Sequence, residues 1–285
     1  MLLYLFYCIL WITISDLNRL DHFYFNLNEN VIDKLNHKTN KYWKNLNVTK
    51  HYWISDMKKT IKSDINYINS KILNKLGPDF YNLKEMDELY FSAVNNFNSD
   101  LSFVNLHTDG PFYFCNVYRV LIFINGNRNT DTIINRSILF NLQKYDIIGF
   151  DYHNDLHYIK NNGNFIHDNN NRIIIKLHYS KKDFNCGNLT INYNKYARNL
   201  FENNKYSMKI SGYFMLFVQY LTAFRKEFLF VNTIIYILSH YLYNNKKIKN
   251  IINLYIICSY ILMTLHISFL LNFILNLRPK ETDWF

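Results

Sequence analysis

The spacing of apolar and polar residues divides the chain into segments of different character. Residues 1–14, MLLYLFYCILWITI, are continuously apolar. This run is shorter than the roughly 20 residues that cross a bilayer, so it suits a hydrophobic anchor or a signal-like segment. Residues 15–100 are polar with scattered aromatics, and two runs, 31–46 and 57–73, place apolar residues at helical spacing. We therefore expect residues 15–100 to form helices and loops that flank a core, with a turn at Gly77-Pro78.

The segment 101–205 is expected to form that core, with mainly β structure. Short apolar runs rich in β-branched and aromatic residues alternate with turn-forming clusters such as NGNRNTD and HDNNN. The runs are VYRVLIFIN (117–125), TIINRSILF (132–140), YDIIGFDY (145–152), LHYI (156–159) and RIIIKLHYS (172–180). Several short strands at this spacing are typical of an all-β sandwich or barrel.

The segment 212–277 is expected to be embedded in a membrane. Residues 228–243 are apolar, residues 244–250 are polar and basic, and residues 251–277 contain no Asp, Glu, Lys or Arg. The last run exceeds the roughly 20 residues that cross a bilayer, which predicts a transmembrane helical hairpin. The positive-inside rule would put its basic loop in the cytosol and the β core in the lumen of the endoplasmic reticulum or another endomembrane.

Composition adds two limits to this picture. The 285 residues are 49% hydrophobic and 18% aromatic, so the chain can bury a sizeable core. The net charge of +10 comes from scattered Lys and Arg in a chain rich in Asn, without a basic stripe interleaved with aromatics. This distribution argues against nucleic acid as a partner and favours an anionic membrane surface.

The number and spacing of the cysteines do not indicate a disulfide-rich or zinc-bound fold. The four cysteines are Cys8, Cys115, Cys186 and Cys258, and the first and last fall inside apolar segments. No CxxC pair exists, so we expect neither a disulfide framework nor a Cys-ligated zinc site.

The chemistry of interest begins at His107-Thr108-Asp109. Residues two apart on a strand point to the same face, so this imidazole and carboxylate can converge on one ion. A second His would complete a two-His-one-carboxylate triad, which leaves positions open on Fe(II). His157 is the preferred partner and His153, in the neighbouring Asn-Asp turn, is the alternative. A hydrogen-bonded pair of His107 and Asp109 at a surface turn is the alternative, and the downstream His and Arg favour the metal site over it.

Two arginines are candidates for binding an anionic co-substrate. Arg172 opens the run RIIIKLHYS, and an Arg on a neighbouring strand can clamp a carboxylate through two parallel hydrogen bonds. Arg119 lies inside the apolar run 117–125 and needs a partner if it is buried, either such a co-substrate or a structural carboxylate.

The ordered set of HxD, a His about fifty residues later and an Arg about fifteen residues after that resembles the Fe(II)/2-oxoglutarate-dependent dioxygenases. HTDGPF, VYRVLIFIN, GFDYHNDLHYI and RIIIKLHY look like the aspartyl/asparaginyl β-hydroxylase-like branch of that family. The resemblance covers about residues 101–180. One departure matters: the animal aspartyl hydroxylases look like HxG at the first motif, whereas Asp109 here supplies a carboxylate. The aspartyl substrate is therefore not carried over.

The resemblance implies a double-stranded β-helix, that is, a jelly-roll or cupin-like core. It implies Fe(II) held by His107, Asp109 and His157 as catalytic metal ligands, and 2-oxoglutarate bound by Arg172 with Arg119 as an alternative or second contact. Phe112, Phe114 and Tyr118 would line a dry pocket. The implied activity is hydroxylation of a peptide side chain or a lipid by a membrane-anchored oxygenase.

Two other functions are compatible with the sequence. One is a non-catalytic jelly-roll binding module tethered to a membrane. The other is a hydrolase or isomerase that uses a different divalent metal on the same scaffold.

Overall fold

The computed structural model describes two compact units. It covers residues 6, 9, 19–27, 29–43, 50–92, 106–125, 130–161, 172–182, 186–202, 220–221, 224–241 and 246–275. One unit, called the β-rich unit, comprises residues 20–109 and 115–191. The other, called the helical unit, comprises residues 1–19, 110–114 and 192–285.

Ten strands and five helices are described. The strands are β1 (Phe23–Asn26), β2 (Lys50–Trp53), β3 (Phe80–Asn82), β4 (Glu88–Ser92), β5 (Val117–Asn125), β6 (Thr130–Ile134), β7 (Ile138–Phe140), β8 (Asp146–Asp151), β9 (His157–Asn161) and β10 (Arg172–Lys181). The helices are α1 (Asn30–Trp43), α2 (Lys59–Leu76), α3 (Cys186–Glu202), α4 (Arg225–Tyr241) and α5 (Lys246–Leu275). Short 3-10 turns occur at Ile54–Asp56 and Lys84–Met86.

The strands form two antiparallel sheets. The major sheet has seven strands in the order β1-β8-β5-β10-β4-β2, and β3 also pairs with β10. The minor sheet has three strands in the order β7-β6-β9. The β-rich unit is therefore mainly antiparallel β structure with helices, consistent with the predicted sandwich or jelly-roll-like fold.

The two faces of the major sheet pack against different elements. On one face, Ile173, Ile175 and Leu177 of β10 pack in a hydrophobic core with residues of α1 and α2. On α2, four buried isoleucines recur at helical spacing, which explains why this run folds as a helix. They are Ile61, Ile65, Ile68 and Ile72. On the other face of β10, Ile174 packs with Phe150 and with residues of β6 and β7.

Local sequence explains several boundaries. The apolar run 132–140 was predicted as one strand, but the structure divides it between β6 and β7. Asn135 and Arg136 between them have φ of 53° and 65°. Two consecutive residues with positive φ make a tight turn whose twist suits a β-hairpin, and Asn accepts this conformation readily. Gly77, with φ of 93°, ends α2 where the Gly-Pro turn was predicted.

The predicted elements are confirmed in part. The strand over 117–125 is β5, and the helical run 57–73 is α2, with ends shifted by a few residues. The helical run 31–46 is α1 as far as Trp43, and its last three residues lie outside the described residues. The region 15–100 also contributes β1 to β4, which the residue pattern did not reveal because each strand is only three to five residues long.

One disulfide was not expected from the cysteine spacing. Cys115 and Cys186 are bonded, with their Cα atoms 5.4 Å apart and a sequence separation of 71. The bond ties the start of β5 to the start of α3. The expectation against disulfides was wrong for this pair because such a separation leaves no local signature.

The predicted membrane hairpin is not supported. The structure forms α4 and α5 within the segment 212–277, but none of the helices it describes combines the length and apolarity needed to cross a bilayer. The predicted anchor over 1–14 lies outside the described residues except for Phe6 and Ile9.

Candidate metal centre

His107 and His157 are brought together by backbone pairing. His107 forms an antiparallel bridge with His157, the first residue of β9. The His107 amide donates to the His157 carbonyl at 3.1 Å, and the His157 amide donates back at 2.9 Å. Directly paired residues project their side chains to the same face, and the two imidazole centroids lie 4.5 Å apart.

Asp109 completes a three-residue group with the two histidines. One carboxylate oxygen lies 3.4 Å from His157 Nε2 and the other lies 3.8 Å from His107 Nε2. One donor atom from each residue lies within 4.8 Å of the others. Because metal bonds to His and Asp are about 2.0–2.2 Å long, atoms at this spacing can share one ion. Two imidazoles and one carboxylate suit Fe(II) or a similar transition metal.

The tautomer of His157 suits metal binding. Its Nδ1 lies 3.1 Å from the carbonyl oxygen of Asp155. A carbonyl only accepts, so Nδ1 carries the proton and Nε2 keeps its lone pair towards Asp109. Asp155 is itself fixed, since its carboxylate accepts from the Asp151 amide at 2.9 Å and from the Asn135 amide group at 3.0 Å. Such outer partners orient a metal-binding imidazole.

The protonation states fit the same role. Burial opposes ionisation of Asp109, but the nearby guanidinium of Arg119, with smaller contributions from the neighbouring histidines, lowers its pKa to about 2. Burial also lowers the pKa of His157 to about 4. A metal needs an ionised carboxylate and a neutral imidazole, which are the forms present near neutral pH.

His153, the alternative ligand, is placed elsewhere. It is fully buried, and its Nε2 lies 3.0 Å from the hydroxyl of Thr190. That hydroxyl donates to the Cys186 carbonyl at 2.7 Å, so it accepts from His153 Nε2, which carries a proton. His153 therefore bonds to the start of α3, and the group of possible metal ligands contains His157 instead.

Arg119 is held by protein partners on two sides. Its Nη1 lies 2.7 Å from a carboxylate oxygen of Asp109, and its Nε donates to His178 Nε2 at 3.1 Å. The guanidinium also lies over the ring of Tyr152, 4.9 Å from its centroid. The sequence left two partners open for Arg119, an anionic co-substrate or a structural carboxylate. In the structure Asp109 supplies the carboxylate.

Arg172 has a different environment. It is 2% exposed, donates a long hydrogen bond of 3.4 Å to the Thr132 hydroxyl and lies over the ring of Phe123 at 5.2 Å. No carboxylate in the described part of the chain forms an ion pair with it, and burial lowers its pKa to about 10. A buried guanidinium still carries its proton at this pKa, so the site has a positive charge available to an anionic ligand.

A cavity of about 70 Å³ joins these groups between the two sheets of the β-rich unit. It is lined by the three possible metal ligands and by three cations, Arg119, Arg172 and Lys176. The apolar and aromatic lining comes from Tyr90, Leu121, Phe150, Tyr158, Ile159 and Ile174. Phe112, Phe114 and Tyr118 were expected in this role and do not line the cavity. Tyr118 packs in the core on the opposite face of the major sheet.

Lys176 was missed in the sequence. Its Nζ lies 2.8 Å from Glu88 and 4.2 Å from the centroid of the Tyr90 ring. Burial lowers its pKa to about 8, although Glu88 opposes this shift. Strand alternation contained the signal, because residues 172, 174, 176 and 178 of one strand face the same side.

Neither a protein-family model nor a curated protein matches the sequence. Among solved structures, a crystal structure of a prolyl-4-hydroxylase from Pseudomonas putida is similar at 10% sequence identity. The similarity covers 61% of this chain and 100% of that chain, with a TM-score of 0.39. A TM-score this low does not establish a shared fold.

Proposed function

We propose that this protein is an Fe(II)/2-oxoglutarate-dependent oxygenase that hydroxylates a peptide side chain or a lipid. The observation that carries the proposal is the convergence of His107, Asp109 and His157 on a cavity that is also lined by Arg172. A double-stranded β-helix related to the aspartyl/asparaginyl β-hydroxylase-like proteins is part of the same proposal, and rests on the sequence motifs around these residues.

The chemistry defines what the site must accommodate. Iron and 2-oxoglutarate together supply an oxidant, since one oxygen atom of O₂ enters succinate as CO₂ is lost and the other enters a C–H bond of the substrate. His107, Asp109 and His157 would hold the iron, with the charge of Asp109 offsetting part of the charge of the ion. Arg172 would pair with the distal carboxylate of 2-oxoglutarate.

Apolar side chains surround the polar groups of the site. Leu121, Ile159 and Ile174 surround the polar groups with apolar surface. Exclusion of water strengthens the attraction between Arg172 and a carboxylate, because the local dielectric constant is lower than in bulk water.

The test uses the full chain, loaded with Fe(II) under anaerobic conditions and then given O₂ and 2-oxoglutarate. We expect slow succinate formation without a substrate, and its loss in the His107→Ala and Asp109→Ala variants. His37→Ala is a matched control, because His37 is exposed on α1. Metal binding without turnover of 2-oxoglutarate would support a hydrolase or isomerase with another metal. Failure to bind any metal would contradict the proposal and favour the alternative of a non-catalytic binding module.

We also propose that the protein works at a membrane surface in an oxidising compartment. The Cys115 to Cys186 bond is typical of proteins outside the cytosol. Exposed apolar side chains along α4 and α5, such as Phe230, Ile237 and Leu254, lie in the same segment as the basic start of α5. Flotation with vesicles containing phosphatidylserine tests this, and an absence of binding to both anionic and neutral vesicles would contradict it.

A further inference from the structure

We propose that His178 and Asp87 are positioning residues that act through Arg119 to fix the metal-binding carboxylate of Asp109. The inference rests on the metal site of the proposed function but assigns residues that do not touch the ion. It concerns a continuous set of buried contacts that runs from Asp109 through two strands to the segment before β4.

The first contact sets which oxygen of Asp109 is available. Arg119 Nη1 lies 2.7 Å from Oδ1, whereas Oδ2 is the oxygen nearer to His157, at 3.4 Å from its Nε2. A guanidinium on Oδ1 holds the carboxylate plane and orients Oδ2 towards His157, where it would meet a bound ion. The position of Arg119 therefore decides how Asp109 can coordinate a metal.

The second contact fixes Arg119. Arg119 on β5 and His178 on β10 are directly paired in the register of the major sheet. Their side chains meet on the cavity face, where Arg119 Nε donates to His178 Nε2 at 3.1 Å. A guanidinium has no acceptor, so His178 must offer the lone pair of Nε2 and carry its proton on Nδ1.

The third contact fixes His178. Nδ1 lies 3.6 Å from Oδ1 of Asp87, and the same oxygen accepts the His178 backbone amide at 3.0 Å. The other oxygen accepts from the Asn82 amide group at 2.9 Å. His178 is fully buried, so its ring has no water-exposed alternative position. Asp87 thus holds His178 in place through its backbone amide, at the position from which Nε2 meets Arg119.

Loss of the acceptor on His178 would leave a buried N–H of Arg119 without its partner, which is costly. The guanidinium would then move to find another acceptor, and Asp109 would lose its fixed orientation. Disturbing an outer partner of this kind typically weakens metal affinity by about 10–100-fold.

The test compares two substitutions of nearly equal length. His178→Gln retains an acceptor oxygen for Arg119 Nε, whereas His178→Met does not. Tyr179→Phe is the control, because Tyr179 is buried on the opposite face of β10. The measurements are the Kd for Co(II) and the visible absorption spectrum of bound Co(II), without 2-oxoglutarate. We expect His178→Met to weaken binding by about 10–100-fold and to change the spectrum. His178→Gln should stay near wild type.

Equal Co(II) affinity and identical spectra in the wild type and in His178→Met would overturn the inference while leaving the oxygenase proposal intact. If the wild type itself fails to bind Co(II), both fall. Should His178→Met fail to fold, Arg119→Lys provides the same test, because it keeps a cation near Asp109 but removes the Nε contact to His178. Unchanged affinity in Arg119→Lys would also count against the inference.

Discussion

Single residues in the cavity differ in how far their charges are already neutralised. Lys176 forms an ion pair with Glu88 and Arg119 forms one with Asp109, whereas Arg172 has only a hydroxyl and an aromatic ring among its described contacts. A carboxylate entering the cavity gains most from the cation that has no carboxylate partner among the described residues, because the other two must share their charge.

We therefore predict that Arg172→Met raises the KM for 2-oxoglutarate by about 10–100-fold, from the loss of a charge-assisted hydrogen bond. Arg172→Lys should fall in between, since Lys keeps the charge but not the planar fork. The measurement is succinate formation against 2-oxoglutarate concentration at saturating Fe(II). Lys176→Met serves as the comparison. A larger rise in the KM for 2-oxoglutarate in Lys176→Met would assign the carboxylate contact to Lys176 rather than to Arg172.

Asp87 leads to a prediction about pH. Burial raises its pKa to about 8, against about 3.9 in an unfolded chain. The folded state then holds a proton that the unfolded state releases, so the free energy of unfolding falls as pH rises from about 4 to 8. Thermal unfolding of the metal-free protein between pH 5 and 8 should show this decline. Asp87→Asn, which stays neutral, should have a shallower slope; an unchanged slope would refute this assignment.

Among strands and helices, β10 is central to both cores and to the site. Its odd-numbered residues pack in the core with α1 and α2, and its even-numbered residues include Arg172, Lys176 and His178. Because side chains alternate between the two faces of a strand, the odd-numbered positions of β10 stabilise the core and the even-numbered positions supply polar groups on the cavity face. This alternation also explains how a strand with a buried pattern throughout can contain three polar functional groups.

The disulfide closes a long loop within the β-rich unit. Cys115 precedes β5 and Cys186 begins α3, so the bond closes a loop with a sequence separation of 71. In the chain-entropy model, a loop of this size gives about 4 kcal/mol of stabilisation. We predict that Cys115→Ser lowers the Tm by roughly 10 °C, measured by thermal unfolding.

Two controls accompany the disulfide prediction. Reduction of the wild-type protein should lower the Tm by a similar amount, and Cys258→Ser should not, because Cys258 is a free, exposed thiol. An unchanged Tm in Cys115→Ser would mean that the bond contributes little to the folded state.

For the chain as a whole, metal binding should raise the free energy of unfolding. A ligand that binds only the folded state at 100 times its Kd stabilises it by about 2.7 kcal/mol. We expect saturating Co(II) to raise the Tm of the β-rich unit by roughly 5–10 °C. Asp109→Ala should remove this shift, and differential scanning calorimetry with and without metal measures it. An equal shift in Asp109→Ala would place the ion elsewhere.

The sequence by itself determined the local features of this protein. Strand β5, helices α1 and α2 and the turn at Gly77 follow from periodicity and backbone preference, which act over a few residues. His107 and Asp109 could be grouped for the same reason, because two positions on an extended chain face the same side. The strands β1 to β4 could not be found in this way, since runs of three to five residues show too little alternation.

Only the tertiary structure decided which distant residues meet. The pairing of His107 with His157 places His157 beside Asp109. His153, four residues earlier, contacts Thr190 instead. The register of β5 with β10 directed Arg119 to Asp109 and His178. The bond between Cys115 and Cys186 joins positions 71 residues apart. These contacts depend on how strands far apart in sequence align, and that alignment is set by packing of the whole β-rich unit rather than by any local pattern.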